Sequence, residues 1–247
     1  MTTLLSTTYF GPVQWYQKLC RSSQVFIEQY ESFQKQTYRN RCVIATTSGP
    51  LALTVPVERD NSLNVEGGML NENTSSTETN LTPHSTFNTP RNNLKSQIKD
   101  IRISDHGEWR HQHWNALVTA YSDSPFFDYY QDDLQPFFTE RRWRYLLDFN
   151  METCATVCQL IDIQPNVSLT DSFQHEAPEG VADWREGIRP KHPAPDPDFS
   201  SRPYYQVYAD RHGFLPNLSI LDLLFNMGPE AVFYLISNDN NDNLNNY

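Results

Sequence analysis

Short apolar runs separated by turn residues organise the first part of the chain. Residues 4–10 and 24–30 are rich in apolar and aromatic side chains, so each run predicts a strand. A Gly-Pro pair ends the first run, and residues 13–20 predict a short helix. Two further strand-like runs flank a Ser-Gly-Pro turn at residues 48–50, a pattern that predicts a hairpin. This region therefore predicts a sheet.

Helical periodicity dominates the middle of the chain. A stripe from Trp109 to Ala120, with apolar positions three and four residues apart and His113 among them, predicts one helix. A second helix is expected to begin near Phe126, and a third to run from about Pro136 toward residue 163. These helices are the clearest secondary-structure prediction in the sequence.

Weaker patterns predict two more strands and the C-terminal helices. Alternation predicts a strand over residues 98–104, and a short apolar run predicts another at 166–169, within a Pro-rich connection. Near the end, Asn217 is placed to cap a helix over residues 218–226. Gly228 suits the C-terminal stop of that helix, and the proline after it suits the first turn of a final helix.

Two polar segments interrupt this pattern. Residues 60–96 hold few large apolar side chains and cannot offset the entropy cost of ordering, so we expect a mobile insertion. A surface insertion is favoured over a lid on a site. The Asn-rich residues 237–247 predict a disordered tail. The rest predicts one domain over residues 1–236, of mixed α/β class, with a short mixed sheet from the N-terminal part packed against helices from the middle and the C-terminus.

Composition narrows the functional classes. The 247 residues include 19 Lys and Arg against 30 Asp and Glu, and the formal net charge of −11 argues against sequence-independent binding to nucleic acid. No run of about 18 apolar residues predicts a membrane span. The first residues lack the features of a secretory leader, so we expect a cytoplasmic protein with free thiols. These features leave the oligomeric state open.

Candidate metal ligands are sparse. Cys154 and Cys158 lie four residues apart on a predicted helix face, but no second Cys or His pair with zinc-like spacing accompanies them. Packing thiols are the favoured interpretation, and metal or redox use is the alternative. The acidic pairs within residues 132–133 and 196–198 are interpreted as a helix-capping pair and a loop pair, and the alternative for each is a site for a divalent metal ion. The sequence therefore predicts no metal and no cofactor.

A basic cluster interrupts this acidic chain. Lys35, Arg39 and Arg41 fall within seven residues, and the two arginines would face the same side of an extended segment. Two parallel guanidinium groups can clamp a phosphate or a carboxylate. The alternative is ion pairing with nearby acids such as Glu28 or Glu31. From spacing alone, the ion-pair interpretation is favoured.

His113 is the second candidate for chemistry. It falls on the buried stripe beside Trp109 and Leu117, where a histidine is usually a core residue with hydrogen-bonded ring nitrogens. The alternative is a general acid or base at the floor of a pocket, because the pKa of imidazole lies near working pH. Spacing alone favours the core residue.

Five blocks of the chain together resemble the WbqC-like protein family, which is associated with bacterial O-antigen and surface-polysaccharide gene clusters. The blocks are YFGPVQWYQKL, YRNRCVI, GPLALTVPV, HWNALVTAYSDSPFFDYY and QVYADRHGFLPNLSILDLLFNMGPEA, the last of which is similar to the version found in Bacteroidetes. The family motifs map onto Tyr9, Pro12, Tyr16, Asn40, Arg41, Thr54, Pro56, His113, Trp114 and Tyr121. The chain departs from the family where Ser6 and Thr7 replace a Gln-Pro pair, and in its long polar insertion.

The resemblance implies a transferase of surface-polysaccharide biosynthesis that moves an aminoacyl, glycyl or acyl group to a sugar. His113 would be the general base, and the partner would be an anionic small molecule, either a nucleotide sugar or a phosphorylated donor. The implied substrate- and anion-binding residues are Arg39, Arg41, Lys35, Asn40, Tyr9, Tyr16, Thr54 and Tyr121.

The competing hypothesis is a non-catalytic binding or assembly protein of a glycan or cell-envelope pathway. The sequence offers His113 but no nucleophile motif, no Gly-rich phosphate loop and no metal set, and this gap favours the alternative. Replacing His113 by Gln would separate the two hypotheses, because turnover falls with the fold intact only if the imidazole is the base.

Overall fold

The computed structural model describes residues 1–58 and 96–236, so the predicted tail and all but the last residue of the predicted insertion lie outside the described residues. The strands are β1 (Thr2–Ser6), β2 (Gln24–Glu28), β3 (Arg41–Thr46), β4 (Gly49–Thr54), β5 (Val167–Leu169) and β6 (Val181–Asp183). The helices are α1 (Val13–Arg21), α2 (Trp109–Tyr121), α3 (Phe127–Leu134), α4 (Pro136–Thr139), α5 (Leu146–Leu160), α6 (Ala209–His212), α7 (Ile220–Met227) and α8 (Ala231–Ile236). The mixed α/β class predicted from the sequence is confirmed.

Four strands form a parallel sheet in the order β5-β2-β1-β6. The helix α1 joins β1 to β2, since parallel neighbours need a crossover connection. Much later in the chain, β6 pairs with the free side of β1, where Thr2 lies opposite Val181. Alternate residues on the strands, among them Leu5, Val25 and Ile27, are buried in the apolar core. The strand order therefore reverses at β1.

A separate antiparallel hairpin is formed by β3 and β4, as the Ser-Gly-Pro turn predicted. Its register runs from Arg41 opposite Thr54 to Thr46 opposite Gly49. Gly49 has a φ of +101°, a backbone conformation that glycine adopts without a steric cost. The hairpin packs against α2 and α7 through its first strand, β3.

Two secondary-structure predictions were wrong for one shared reason. Residues 98–104 form a 3-10 turn (Ile98–Asp100) and isolated bridges in place of a strand, and the predicted third helix is divided into α4 and α5. The backbone N–H of Ile103 donates to the carbonyl of Arg144 at 2.9 Å, and that of Leu146 donates to Ile101 at 2.9 Å. This pairing holds the segment between α4 and α5 in an extended conformation.

Three further details differ from the expectations. The first strand ends at Ser6 and does not reach residue 10. The strand β6, only three residues long, was not predicted within the Pro-rich connection. Helix α7 is capped by Ser219, whose hydroxyl accepts from Leu221 N at 3.3 Å, and not by Asn217. Asn217 accepts instead from the backbone N–H of Gln14 at 2.9 Å.

An aromatic cluster joins the helices to the loop after β1. The ring of Phe149 lies 5.2 Å from Trp143, 5.9 Å from Phe137, 6.0 Å from Trp109 and 5.8 Å from Tyr9. Aromatic pairs at these separations contribute beyond their buried area. The cluster therefore fixes α2 and α5 against the residues that follow β1. Within residues 1–58 and 96–236, no helix has both the length and the apolar character needed to cross a membrane.

Candidate functional site

The carboxyl ends of the parallel strands meet at one edge of the sheet. Ser6, Glu28 and Asp183 are the last residues of β1, β2 and β6, and Thr170 follows β5 directly. In open parallel sheets, ligands bind outside the carboxyl ends, at the point where the strand order reverses. Here that point lies between β1 and β6, so this edge is the first place to look for a site.

A buried ion pair occupies part of this edge. The guanidinium of Arg39 donates through Nε to Oε1 of Glu31 at 2.8 Å and through Nη2 to Oε2 at 2.5 Å. Nη2 also donates to the hydroxyl of Ser6 at 2.8 Å. Arg39 is 3% exposed and Glu31 is 5% exposed, so the pair is shielded from water. Glu31 therefore occupies the bidentate position on Arg39 in which an anionic ligand was expected.

A second carboxylate, Glu28, is 0% exposed and accepts four hydrogen bonds. Its oxygens accept from the hydroxyl of Thr170 at 2.8 Å and from the backbone of Tyr30 at 2.9 Å. They also accept from the backbone of Gln174 at 3.1 Å and from Nη1 of Arg185 at 3.4 Å. Four donors satisfy a buried carboxylate, so Glu28 ties β2, β5 and the segment after β6 together.

A cavity of about 280 Å³ adjoins this network on one face of the sheet. Leu4, Phe26 and Val181 supply its apolar wall from three neighbouring strands. Thr170 and Gln174 line its polar side, and both also bond to Glu28. An aromatic ring beside hydrogen-bonding groups is a surface on which a polyhydroxylated ligand can lie.

The loop after β1 leads from this edge to His113. The hydroxyl of Tyr9 lies 2.9 Å from Nδ1 of His113, and the backbone of Thr54 accepts a hydrogen bond from the same imidazole. Nδ1 faces Tyr9, so a ring that carries its proton on Nε2 would donate to Thr54 and direct the lone pair of Nδ1 at the Tyr9 hydroxyl. Burial lowers the pKa of His113 to about 4, so the ring is neutral at neutral pH.

Thr54 connects His113 to Arg41. Its hydroxyl accepts from Nε of Arg41 at 3.0 Å, across the pair that the two residues form between β3 and β4. Its backbone accepts from the imidazole of His113. The partly exposed guanidinium of Arg41 and the neutral imidazole therefore both contact Thr54. Asn40 lies next to them, and its Nδ2 donates to the carbonyl of Val55 at 2.8 Å.

A second guanidinium near Tyr9 has unused donors. Arg110 is 7% exposed, stacks on Trp109 at 4.5 Å and bonds through Nη1 to Asp105. Its Nε and Nη2 are buried and meet no acceptor within the described part of the chain. Arg110 is also close enough to lower the pKa of the Tyr9 phenol, although burial and Cys42 raise that pKa well above its usual value. Buried donors without acceptors are costly unless a ligand or water satisfies them.

The structure brings some of the predicted site residues together and separates others. Those that converge are Tyr9, Asn40, Arg41, Thr54 and His113. Arg39 belongs to the sheet edge, and Lys35 is exposed. Tyr16 is buried against Cys154, and Tyr121 donates to the buried carboxylate of Asp222 at 2.8 Å. Residues 36–40 form turns, so Arg39 and Arg41 do not face one side of an extended segment.

Sequence reasoning named Ser6 only as a departure from the family and Glu28 only as a possible ion-pair partner of the basic cluster, and it missed Arg110 and Gln174. The signal that could have found the first two is their position at the end of an apolar run that becomes a parallel strand. No group of three or more His, Cys, Asp or Glu side chains within residues 1–58 and 96–236 could hold a metal ion.

The fold and the site define an α/β protein with a charged network at the carboxyl edge of a parallel sheet and a Tyr-His pair beside it. The chain belongs to the WbqC-like protein family, whose model matches residues 7–82 and 78–186. The C-terminal block, similar to the Bacteroidetes version, lies beyond the matched residues, and that part of the prediction stays untested.

One relative is the "Uncharacterized protein Rv1507c" of Mycobacterium tuberculosis. It is 25% identical over 228 residues, which is 82% of this chain and 83% of the relative. No solved structure matches the chain.

Proposed function

We propose that this protein is a transferase of bacterial surface-polysaccharide biosynthesis that moves an acyl or aminoacyl group to a sugar. The observation that carries the proposal is the chain of contacts Tyr9–His113–Thr54–Arg41, which places a neutral imidazole next to a partly exposed cation. The resemblance to a family of O-antigen gene clusters supplies the substrate class.

His113 is the base in this proposal, and Tyr9 is the relay. As the acceptor oxygen or nitrogen bonds to the acyl carbon, the bond from that carbon to the donor's leaving group breaks. The acceptor's proton passes to the hydroxyl of Tyr9 while the Tyr9 proton moves to Nδ1 of His113. The carbonyl of Thr54 would accept from Nε2 and so hold the imidazole in one orientation, as the third residue of a catalytic triad does.

The donor's anionic group would bind to Arg41 and to the unused Nε and Nη2 of Arg110. An anion next to His113 raises its pKa from about 4 toward working pH, which makes the imidazole a better base only when the donor is bound.

The first test is a thermal-shift screen of the purified protein against nucleotide sugars, nucleotides, acyl-CoA and amino acids. A ligand that binds the native state raises the melting temperature. We expect one class to do so, with the shift lost in Arg41→Ala and retained in His113→Gln. Arg211→Ala, which removes an exposed arginine from α6, is the matched control and should keep the shift.

The second test is transfer from that donor to candidate sugars, followed by mass spectrometry. Turnover should fall by a factor on the order of 10²–10⁴ in His113→Gln, with a cooperative melting transition that shows the fold to be intact. Full turnover in His113→Gln would remove the imidazole as the base, and a ligand shift that survives in Arg41→Ala would remove the anion site.

The second candidate function is a non-catalytic binding or assembly protein of the same pathway. Two observations favour it: Glu31 already fills the clamp of Arg39, and His113 is only 6% exposed. Under this function a ligand shifts the melting temperature, yet no acyl or aminoacyl group appears on any sugar. The mass-spectrometric test therefore separates the two functions.

A further inference from the structure

Sulfur side chains line a second cavity, which takes no part in the site described above. Met151, Cys154 and Cys158 are spaced i, i+3 and i+7 on α5, so they share one face of the helix. All three border a cavity of about 360 Å³ that is closed on its other side by residues 162–167. The three side chains therefore give this cavity a soft, polarizable wall.

The two thiols lie at the floor of this cavity. Cys154 is 7% exposed and Cys158 is 6% exposed, whereas the lining residues Gln159 and Asp162 are exposed. A small ion can therefore enter from solvent past the rim and reach sulfur atoms that are otherwise shielded. An entry path of this kind is one requirement for a metal site.

The separation of the thiols matches a shared metal ion. The Sγ atoms of Cys154 and Cys158 are 4.0 Å apart. Two thiolates with metal–sulfur bonds of about 2.3 Å also lie about 4.0 Å apart at the angle of about 120° of a three-coordinate ion, whose third ligand would be the thioether of Met151 on the same helix face. The helix α5 already sets this spacing, so little rearrangement is needed to bind an ion between the two sulfurs.

We propose that Cys154 and Cys158 bind one soft monovalent cation, of which Cu(I) is the best match. Thiolate and thioether ligands select Cu(I), whereas a structural zinc site needs four ligands. Within residues 1–58 and 96–236, no third His, Cys, Asp or Glu joins the two thiols into a metal-binding group. On binding, each thiol loses one proton and forms one S–Cu bond, and copper stays in the +1 state, so no electron is transferred.

The test is an anaerobic titration of Cu(I) against a chromophoric Cu(I) chelator, with the full chain under reducing conditions. We expect one equivalent to bind, with affinity at least tenfold lower in both Cys154→Ser and Cys158→Ser. Cys42→Ala, which removes a buried thiol of β3, is the control and should bind like the wild type. Because two protons leave, the apparent affinity should rise with pH by up to about 100-fold per unit.

Thermal unfolding of each variant shows whether it folds, and X-ray absorption of the copper-loaded wild type gives a readout that needs no variant. Two or three sulfur neighbours and no nitrogen or oxygen support the site. Unchanged affinity in either cysteine variant, a shell of nitrogen and oxygen, or no binding in competition with the chelator overturns it.

Discussion

Burial keeps the imidazole of His113 neutral, and this ties stability to pH. Its pKa is about 4 in the folded chain against 6.5 for an unperturbed histidine, so the unfolded chain takes up the proton first. The stabilising contribution is complete above pH 6.5 and is lost as the pH falls toward 4, by about 3 kcal/mol in all.

Urea unfolding at pH 7 and pH 5 checks this prediction. Between these values the wild type should lose about 2 kcal/mol more than His113→Gln. The exposed His111 on the same helix provides the control, since His111→Gln should keep the pH dependence of the wild type. An equal loss of unfolding free energy between pH 7 and pH 5 in the wild type and in His113→Gln would contradict a neutral, buried imidazole.

The ion pair at the sheet edge leads to a second prediction at this scale. Glu31→Gln leaves the guanidinium of Arg39 buried without its bidentate partner, which should cost about 3–5 kcal/mol of unfolding free energy. Glu186 contacts the same guanidinium at 3.2 Å, but its side chain is 49% exposed. Glu186→Gln should therefore cost no more than about 1 kcal/mol. Chemical denaturation compares the two, and similar losses would show that burial does not decide the strength of this pair.

Among the connections between helices, the turn after α7 allows the sharpest test. Gly228 has a φ of +55°, and an added Cβ would lie 2.5 Å from the ring of Phe126. Gly213, which ends α6, has a φ of +69° with nothing within 4 Å of such a Cβ. Both alanine variants carry the backbone strain, so Gly228→Ala should be less stable than Gly213→Ala by about 1–3 kcal/mol. Equal melting temperatures would show that the ring moves away without cost.

At the scale of the elements, the helices and hairpins that have a strong local sequence signal could be predicted. The helix from Trp109 and the hairpin at Gly49 have strong local signals, namely a 3.6-residue period and a turn dipeptide. Short elements that depend on distant partners could not. The three residues of β6 are a strand only because β1 offers its free edge, and the segment between α4 and α5 is extended because Ile103 pairs with Arg144 and Ile101 with Leu146.

The candidate site follows the same logic. His113 and Arg41 stand out locally, and the contacts that join them run through one residue of a predictable hairpin. The network of Glu28 joins residues up to 157 positions apart, and which strands become neighbours is a tertiary property. A single sequence carries no local signal for such a pairing, so the sheet edge could be described only with the fold in hand.

On the scale of the whole molecule, the contacts predict one cooperative unit. The first strand, β1, pairs with β6 from the last third of the chain, and α1 packs against the final helix α8. The tryptophans sample different parts of this arrangement, since Trp15 donates to the carbonyl of Ser6 beside the sheet while Trp143 lies in the aromatic cluster. Unfolding of the sheet should therefore destabilise the helices, and unfolding of the helices should destabilise the sheet.

Unfolding followed by far-ultraviolet circular dichroism and by tryptophan fluorescence should give coincident transitions, as one cooperative unit requires. Trp15→Phe and Trp143→Phe variants report the two regions separately, and their midpoints by fluorescence should each equal the midpoint by circular dichroism of the same variant. Removal of residues 167–236 should abolish the transition, because it takes away β5, β6 and the helices that contact α1. Two separated transitions, or a truncated chain that still melts cooperatively, would show that the sheet and the helices fold as independent units.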